Sequence, residues 1–424
     1  MPVWRIYHEC GAVLRNRPGR SIKRLRDGVL QVRVVVILTL WVLAVPAAAT
    51  SLYLLVLTLL SARNPAGAPS RRQLRFDLIV PAHNEEAVLS NIISSLRTVD
   101  WPANGFRIVI VADNCTDSTA AIARAAGTYV LERFDRERRG KGYALQLAFR
   151  MSREQGWADA VVVVDADARV SPNLLEAIAR RMERGEHAVQ VHYGVSNTAS
   201  SWRTRLLSIA KAAFHVVRSR ARERLKLSCG LRGNGWSVTH ALLDRVPYSA
   251  FSLTEDLEYG ITLGINGYRV AYADEAHADA EMVSGEKESR GQRRRWEMGR
   301  FALVRSKTLP LLRHAVLARS AVCLDLALDL LVLPLSYVAL NVGLLLAIAL
   351  VLLGTSVNHG WLWVGIACAA ALILHVLRGW QLSGSGLQGL LDLARAPGFL
   401  LWKIIIMLRR SESREWVRTK RERS

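Results

Sequence analysis

The sequence predicts an α/β protein, a mostly parallel sheet wound with helices, carrying apolar helices towards both ends of the chain. Three observations lead there. Short β-branched runs alternate with helical patterns between Phe76 and Val164. The run Val161, Val162, Val163, Val164 has no polar side, as a strand covered on both faces requires. Of the 424 residues 51% are hydrophobic, and the excess is concentrated near the ends.

Taken in order, strands are read at Phe76-Asp77-Leu78-Ile79-Val80-Pro81, at Arg107-Ile108-Val109-Ile110-Val111 and at 161–164, with helical spacing at 87–96, 119–126 and 142–151. Strand and helix in alternation imply right-handed βαβ crossovers. After Asp167 the pattern loosens into a helix at 172–184, a strand at 188–193 and a long helix at 200–225. In that last helix Leu206, Leu207, Ile209, Ala210, Ala213, Phe214 and Val217 interleave with Arg and Lys, which suits a membrane surface or packing on the sheet domain equally. No internal repeat is evident, and the Ala, Pro and Ser of 64–70 read as a short linker.

Residues 34–60 are apolar over a length sufficient to cross about 30 Å of hydrocarbon. They are too long for a signal-peptide core and lack a small-residue cleavage site before Arg71-Arg72, so a retained transmembrane anchor is expected after a basic segment, 1–33. A transmembrane hairpin is expected within 325–378, with its polar turn at 355–360. Residues 385–408 are apolar but broken by Arg395, Pro397 and Gly398, which points to an interfacial or re-entrant helix, followed by a basic cytoplasmic tail, 409–424.

The net charge of +21 falls in patches at 15–26, 215–226, 290–305 and 403–423. Basic segments beside membrane spans are drawn to anionic lipid head groups by roughly 1 kcal/mol per residue. The patches adjoin apolar stretches and hold no recognisable nucleic-acid module, which argues for membrane lipids and against nucleic acid as partner. Five scattered cysteines, Cys10, Cys115, Cys229, Cys323 and Cys368, with no CxxC spacing, fit a reducing cytosol rather than a disulfide framework.

Asp165-Ala166-Asp167 directly follows the valine run. The C-terminal end of a strand in a wound sheet faces the crevice where nucleotides bind. Mg2+ or Mn2+ takes one or two protein oxygens at such a place and completes its shell with phosphates and water. A solvated turn or a helix cap is the competing use of an Asp pair. His83-Asn84-Glu85 and Asp113-Asn114 follow the other two strands, the first of them opening a helix whose amides and dipole favour an anionic ligand. Asp117 is read as a cap for the helix near Thr119, while Asn114 suits a nucleotide contact or a turn equally. Arg139-Gly140-Lys141-Gly142 sets a cation between glycines where it can approach a phosphate or a base, without Walker spacing.

Downstream come Thr254-Glu255-Asp256 and Gln292-Arg293-Arg294-Arg295-Trp296. From about residue 74 to 305 these D, DxD, TED and QxxRW signatures, in order, make the chain resemble the inverting family-2 glycosyltransferases. Within them it resembles the membrane branch of cellulose, chitin, hyaluronan and poly-N-acetylglucosamine synthases. The resemblance implies a GT-A fold, Rossmann-like in its nucleotide half, over 74–313. It implies that Pro81, His83, Asn84, Glu85, Asp113, Lys141, Asp165 and Arg295 bind a UDP-sugar, and that Asp167 holds Mg2+ or Mn2+. Asp256 then takes the proton from the acceptor hydroxyl, with Glu255, Gln292 and Trp296 beside the acceptor. Arg293, Arg294 and Arg300 are read as a basic interfacial face. Gly233-Asn234-Gly235-Trp236 either borders the acceptor or forms a turn before a core Trp.

The reaction expected from the resemblance is metal-dependent transfer of a sugar, with inversion, onto a growing polysaccharide. The alternative is transfer of a single sugar to a lipid acceptor. Processive synthases have more spans than the roughly three counted here, which leaves room for an export partner or a homo-oligomer. Because nucleotide sugars are cytosolic, an inner (plasma) membrane location with a cytoplasmic catalytic domain is expected. One span at 34–60 then sets the basic N-terminus outside, against the positive-inside tendency. A re-entrant hairpin bent at Pro46, or a start further downstream, removes the conflict.

Overall fold

The structure, a computed structural model, describes residues 18–282, 286–355, 358–395 and 398, with side chains described outside 18–29 and 286–296. Its strands are β1 Phe76–Ala82, β2 Phe106–Asp113, β3 Tyr129–Arg133, β4 Ala160–Val163, β5 Ala168–Val170, β6 Ala188–Val195, β7 Trp236–Thr239 and β8 Val270–Ala280. They form one mixed sheet in the order β3-β2-β1-β4-β7-β6-β8-β5. The first four run parallel. β7 pairs antiparallel with β4 and β6, β8 runs parallel to β6, and β5 closes the edge antiparallel.

Alternation along the parallel strands divides the core in two. Leu78, Val80 and Val162 face Ile92 and Ile93 of the helix Leu89–Arg97 and Leu175 and Ile178 of the helix Leu174–Met182. Ile79, Val161 and Val163 face Ala144, Leu145 and Ala148 of the helix Lys141–Gln155 and the indole of Trp236. Helices on both faces are the physical reason the β4 run carries no polar residue.

Four strands escape the sequence reading. β8 alternates alanine with Asp, Glu and His rather than with β-branched residues, and its register against β6 shifts after Val191, skipping Asp274, Glu275 and Ala276. Two of the skipped carboxylates are taken by arginines, Asp274 by Arg220 and Glu275 by Arg181. β5 and β7 are only three and four residues long, and β3 is partly exposed.

Asp77 of β1 is fully buried and accepts two bonds from Arg107, at 2.6 and 2.9 Å, and one from the Ser152 hydroxyl. Asp77→Ala strands the guanidinium and should destabilise the fold by about 3 kcal/mol, the low end for a buried pair because the Arg107 side chain is 24% exposed. Chemical denaturation of variant and parent checks this, and an unchanged midpoint would show that the pair contributes nothing.

Among the described residues three helices are long and apolar enough to cross a membrane: Leu30–Leu59, Leu335–Gly354 and Gly360–Leu382. The first belongs to the helix Pro18–Leu59, which continues through Pro46 without a break, so no hairpin forms there. One lost backbone donor is tolerated in such a helix. The C-terminal hairpin starts at Leu335 rather than near residue 325, because Ala321–Leu331 is a separate helix whose Asp325 and Asp329 are engaged by arginines. The helix Gly386–Leu393 is what the structure describes of the expected interfacial segment; residues 1–17 and 399–424, including the basic tail, lie outside the described residues.

The chain divides into two units. One comprises residues up to Leu52 with Val338–Ala370; in it Trp41 meets Trp361 edge-on at 5.0 Å, and Asn341 Nδ2 donates to the Leu43 carbonyl at 3.1 Å. The other comprises Tyr53–Tyr337 and the residues from Ala371 on, and holds the sheet.

Candidate active site

A cavity of about 660 Å3 opens at the C-terminal ends of β1, β2 and β4. It runs from Pro81, His83 and Asp113, past Asp165, Asp167 and Asp256, to Leu333, Pro334 and Leu335. At the β1 end, His83 Nδ1 lies 2.7 Å from the Asp113 carbonyl oxygen, which can only accept, so this nitrogen carries the proton. Asn84 departs from the expectation. It sits at φ +56°, accepts from the Thr116 amide at 2.7 Å and braces the loop after β2, without lining the cavity. Glu85 does line it. Asp117 accepts from the Thr119 amide at 3.0 Å, at the start of the helix Thr119–Ala125. Asp113 Oδ1 accepts from Arg133 Nη1 at 2.7 Å; burial raises the carboxyl's pKa, and Arg133 opposes the rise.

Lys141 joins motifs that are far apart in sequence. It opens the helix Lys141–Gln155, whose second residue must be glycine because a Cβ at Gly142 would lie 2.3 Å from the Ala250 carbonyl oxygen. Lys141 Nζ donates to Asp165 Oδ1 at 2.6 Å and to the Gly233 carbonyl at 2.7 Å, and lies 3.5 Å from Glu255 Oε1. Burial works against its charge, but Asp165, Glu255 and Asp256 together hold the ammonium above the usual lysine range. The Asp165 amide donates to the fully buried Asn234 at 3.0 Å. Gly235, at φ +68° with Val191 2.6 Å from any added Cβ, then turns the chain into β7. Gly233 lines the cavity, and Trp236 is the core Trp of the second reading, buried against Phe149, Tyr248 and Tyr259.

Glu255 and Asp256 occupy the first turn of the helix Glu255–Ile265, where the helix dipole favours carboxylates. Burial nevertheless raises both pKa values; Lys141 opposes the rise at each, and neighbouring carboxylates add to it.

Several cavity residues carry no sequence signal. The long helix expected at 200–225 contains a π-helical stretch, Ala212–Val217, between Trp202–Lys211 and Arg218–Arg224. This wider turn carries Phe214 and His215 on the cavity wall. Lys211, just before it, is buried with Nζ 3.3 Å from the Tyr193 ring centroid. Burial lowers its pKa to about 7, against the pull of Asp167, Asp165 and Asp279. Arg300 is not part of an exposed basic face: it is part-buried and donates to the carbonyls of Asp329 and Val332. Gln292, Arg295 and Trp296 belong to the helix Glu286–Leu317, with side chains outside those described.

Among the described residues no group of three or more His, Cys, Asp or Glu is arranged to hold a metal. Asp165 and Asp167 still fit Mg2+ or Mn2+: they are hard oxygen donors on an open cavity, and these ions need only one or two protein ligands when phosphate and water supply the rest.

A mixed sheet with its carboxylates at the strand ends and a nucleotide-sized cleft defines a GT-A sugar-transferase architecture. The family model described as "Glycosyltransferase like family 2" matches residues 74–299, more than half of the chain, and the chain belongs to that family. It is 29% identical over 230 residues to a beta-monoglucosyldiacylglycerol synthase of Synechocystis sp., covering 53% of this chain and 47% of that protein. The chain thus spans about half the length of this relative. It is 26% identical over 344 residues to an undecaprenyl-phosphate 4-deoxy-4-formamido-L-arabinose transferase of Pseudomonas aeruginosa, covering 77% of this chain and 89% of that protein. Among solved structures, a mannosyltransferase of Pyrobaculum calidifontis in complex with GDP-Man and Mn2+ superposes with a TM-score of 0.49 at 19% identity, covering 80% of this chain and 98% of that one.

Proposed function

We propose that the chain moves a sugar from a UDP-sugar to a lipid acceptor at a membrane surface, with inversion at the anomeric carbon. One observation carries this reading: a single cavity connects the carboxylates at the sheet edge to Leu333, Pro334 and Leu335, where a helix apolar enough to span a membrane begins. A lipid can present its head group to Asp256 there while its tail stays in apolar surroundings. The two relatives, by name a glucosyldiacylglycerol synthase and an undecaprenyl-phosphate sugar transferase, favour this alternative over the growing polysaccharide expected first.

In this mechanism the acceptor oxygen attacks the anomeric carbon, the bond from that carbon to the nucleotide diphosphate breaks, and the acceptor proton passes to Asp256. Asp113 and the β1 loop hold the nucleoside, while Lys141 ties Asp165 to the Glu255–Asp256 turn and so fixes donor and base relative to each other. A divalent ion at Asp167 and Asp165 would, when bound, neutralise charge on the departing diphosphate.

Asp256 must be ionised to take a proton, and burial raises its pKa. The acid limb of the turnover–pH profile should therefore lie above the ordinary carboxylate range. Lys141→Gln should move that limb further up, because the ammonium that favours the charged form is gone. A limb near pH 4 in both proteins, about the value of an unperturbed carboxyl, would remove Asp256 from this role. The acceptor reading is tested by incubating the purified protein with membranes and radiolabelled UDP-sugars. Label is expected in organic-soluble glycolipid carrying one sugar; label in high-molecular-weight polymer would overturn the reading.

A further inference from the structure

The cavity is polarised in charge. Its donor end sets Asp165, Asp167, Glu255 and Asp256 against two lysines, Lys141 and Lys211, an excess that suits a cation. The wall around Phe214 has the opposite imbalance. Arg218 Nη1, Arg222 Nη2 and Arg232 Nη2 converge on the single carboxylate of Asp329, at 3.0, 2.7 and 3.4 Å. Arg222 Nε also reaches Asp325 at 2.8 Å, and among the described residues Arg300 donates only to backbone carbonyls. Four guanidiniums thus surround the two carboxylates of Asp325 and Asp329, Glu297 is the further acidic group on the cavity wall beside Arg300, and three of the four arginines are buried.

A buried charge without a counter-charge is costly. Phe214 offsets part of it, with Arg218 and Arg232 each 4.6 Å from its ring centroid and Arg300 at 5.5 Å. A ring face attracts a cation but carries no net charge, so it does not replace the missing negative charge. Burial accordingly draws the Arg218 pKa down to about 10 despite Asp329.

The excess faces the cavity. Arg218, Arg232 and Arg300 line it, together with His215 and His375. His375 is fully buried; the Thr58 hydroxyl donates to the Leu54 carbonyl at 2.6 Å and so accepts from His375 Nδ1 at 2.8 Å, which leaves Nε2 as an acceptor. His215 Nδ1 is buried without a partner among the described residues. A ligand with several acceptor oxygens and negative charge would complete the guanidiniums. The apolar wall from Leu333 to Leu335 adjoins them, so the same ligand carries hydrocarbon.

Resting on the lipid-acceptor reading above, we propose that the arginines around Phe214 form the subsite for the phosphate head group of the acceptor lipid. Arg232 faces Asp256 as well as Asp329, so a head group held there lies beside the base; the attacking atom is then a phosphate oxygen, and Asp256 takes the one proton that the monoanionic phosphate still carries, its second pKa being about 6. A neutral acceptor such as diacylglycerol leaves the charge excess unanswered.

The test uses the purified full chain in neutral detergent with two pairs of probes matched in hydrocarbon: a polyprenyl monophosphate against its polyprenol, and phosphatidic acid against diacylglycerol. At least one phosphate-bearing lipid should bind about tenfold or more tightly than its neutral counterpart, and should take sugar from the labelled donor in preference to it. Whichever pair shows the difference names the lipid. Arg232→Gln and Arg300→Gln should each erase most of that preference, with UDP affinity measured alongside as proof that the variant is folded. The wild-type comparison stands without any variant. Equal binding within both pairs, or equal transfer to the neutral lipids, would overturn the subsite and leave the lipid-acceptor reading intact. Polymer formation with no lipid of either kind bound would overturn both.

Discussion

Asp256→Asn is expected to leave donor binding near its parental value and to lower turnover by about 100- to 10,000-fold, the range of a lost general base. The amide keeps the shape of the carboxylate but cannot take a proton. Donor affinity should survive because the contacts that tie the strand ends together, Lys141 to Asp165, Gly233 and Glu255, do not pass through Asp256. Two measurements decide the matter: UDP affinity by calorimetry, and transfer rate at saturating donor. If affinity and rate fall together, Asp256 organises the donor site and the base lies elsewhere. Slow hydrolysis of the sugar nucleotide by water should be less affected than transfer, since water is placed by the donor site rather than by the acceptor pocket.

The difference between what the sequence shows and what only the structure shows follows from where the information resides. β1, β2 and β4 are legible because burial on both faces favours short apolar runs, unbroken in β4, and each delivers its polar motif to the same end of the sheet. Asp165 and Asp256, ninety-one positions apart, could be associated only through the resemblance, yet the physical link is one ammonium, that of Lys141. β8 was illegible because its identity depends on pairing with β6 rather than on its own composition, which is alanine and acid. The π-helical stretch at Ala212–Val217 leaves no trace in an amphipathic pattern, so Lys211, Phe214 and His215 look like ordinary positions on a surface helix. Arg218 and Arg222 fell within a basic patch, 215–226, read as drawn to lipid head groups, and Arg232 carried no signal at all. A run rich in arginine reads as exposed unless the distant Asp325 and Asp329 that draw it inward are known. The helix carrying those two aspartates was in turn absorbed into a transmembrane hairpin, because hydropathy alone does not separate it from the span that follows.

Asp167→Asn should lower transfer by at least about 100-fold and abolish its dependence on Mg2+ or Mn2+ together. A neutral amide is a poor ligand for a hard divalent ion, and the site has few alternatives, since no cluster of three ligating side chains exists among the described residues. Asp165 does not substitute freely, because Lys141 already holds its Oδ1 at 2.6 Å. The change also reaches Lys211: Asp167 is the strongest of the carboxylates that sustain its charge against burial, so losing it favours the neutral amine and removes a second positive group from the diphosphate end. Binding separates these effects from catalysis. Titration of Mn2+ into protein and UDP, followed by the paramagnetic signal of the free ion, should show saturable binding in the parent and none in the variant. UDP without metal should bind both proteins alike. Full transfer by Asp167→Asn, or undiminished parental transfer in excess chelator, would mean that the diphosphate is neutralised by Lys141, Lys211 and Arg side chains alone, and that the aspartate pair serves as their structural counter-charge.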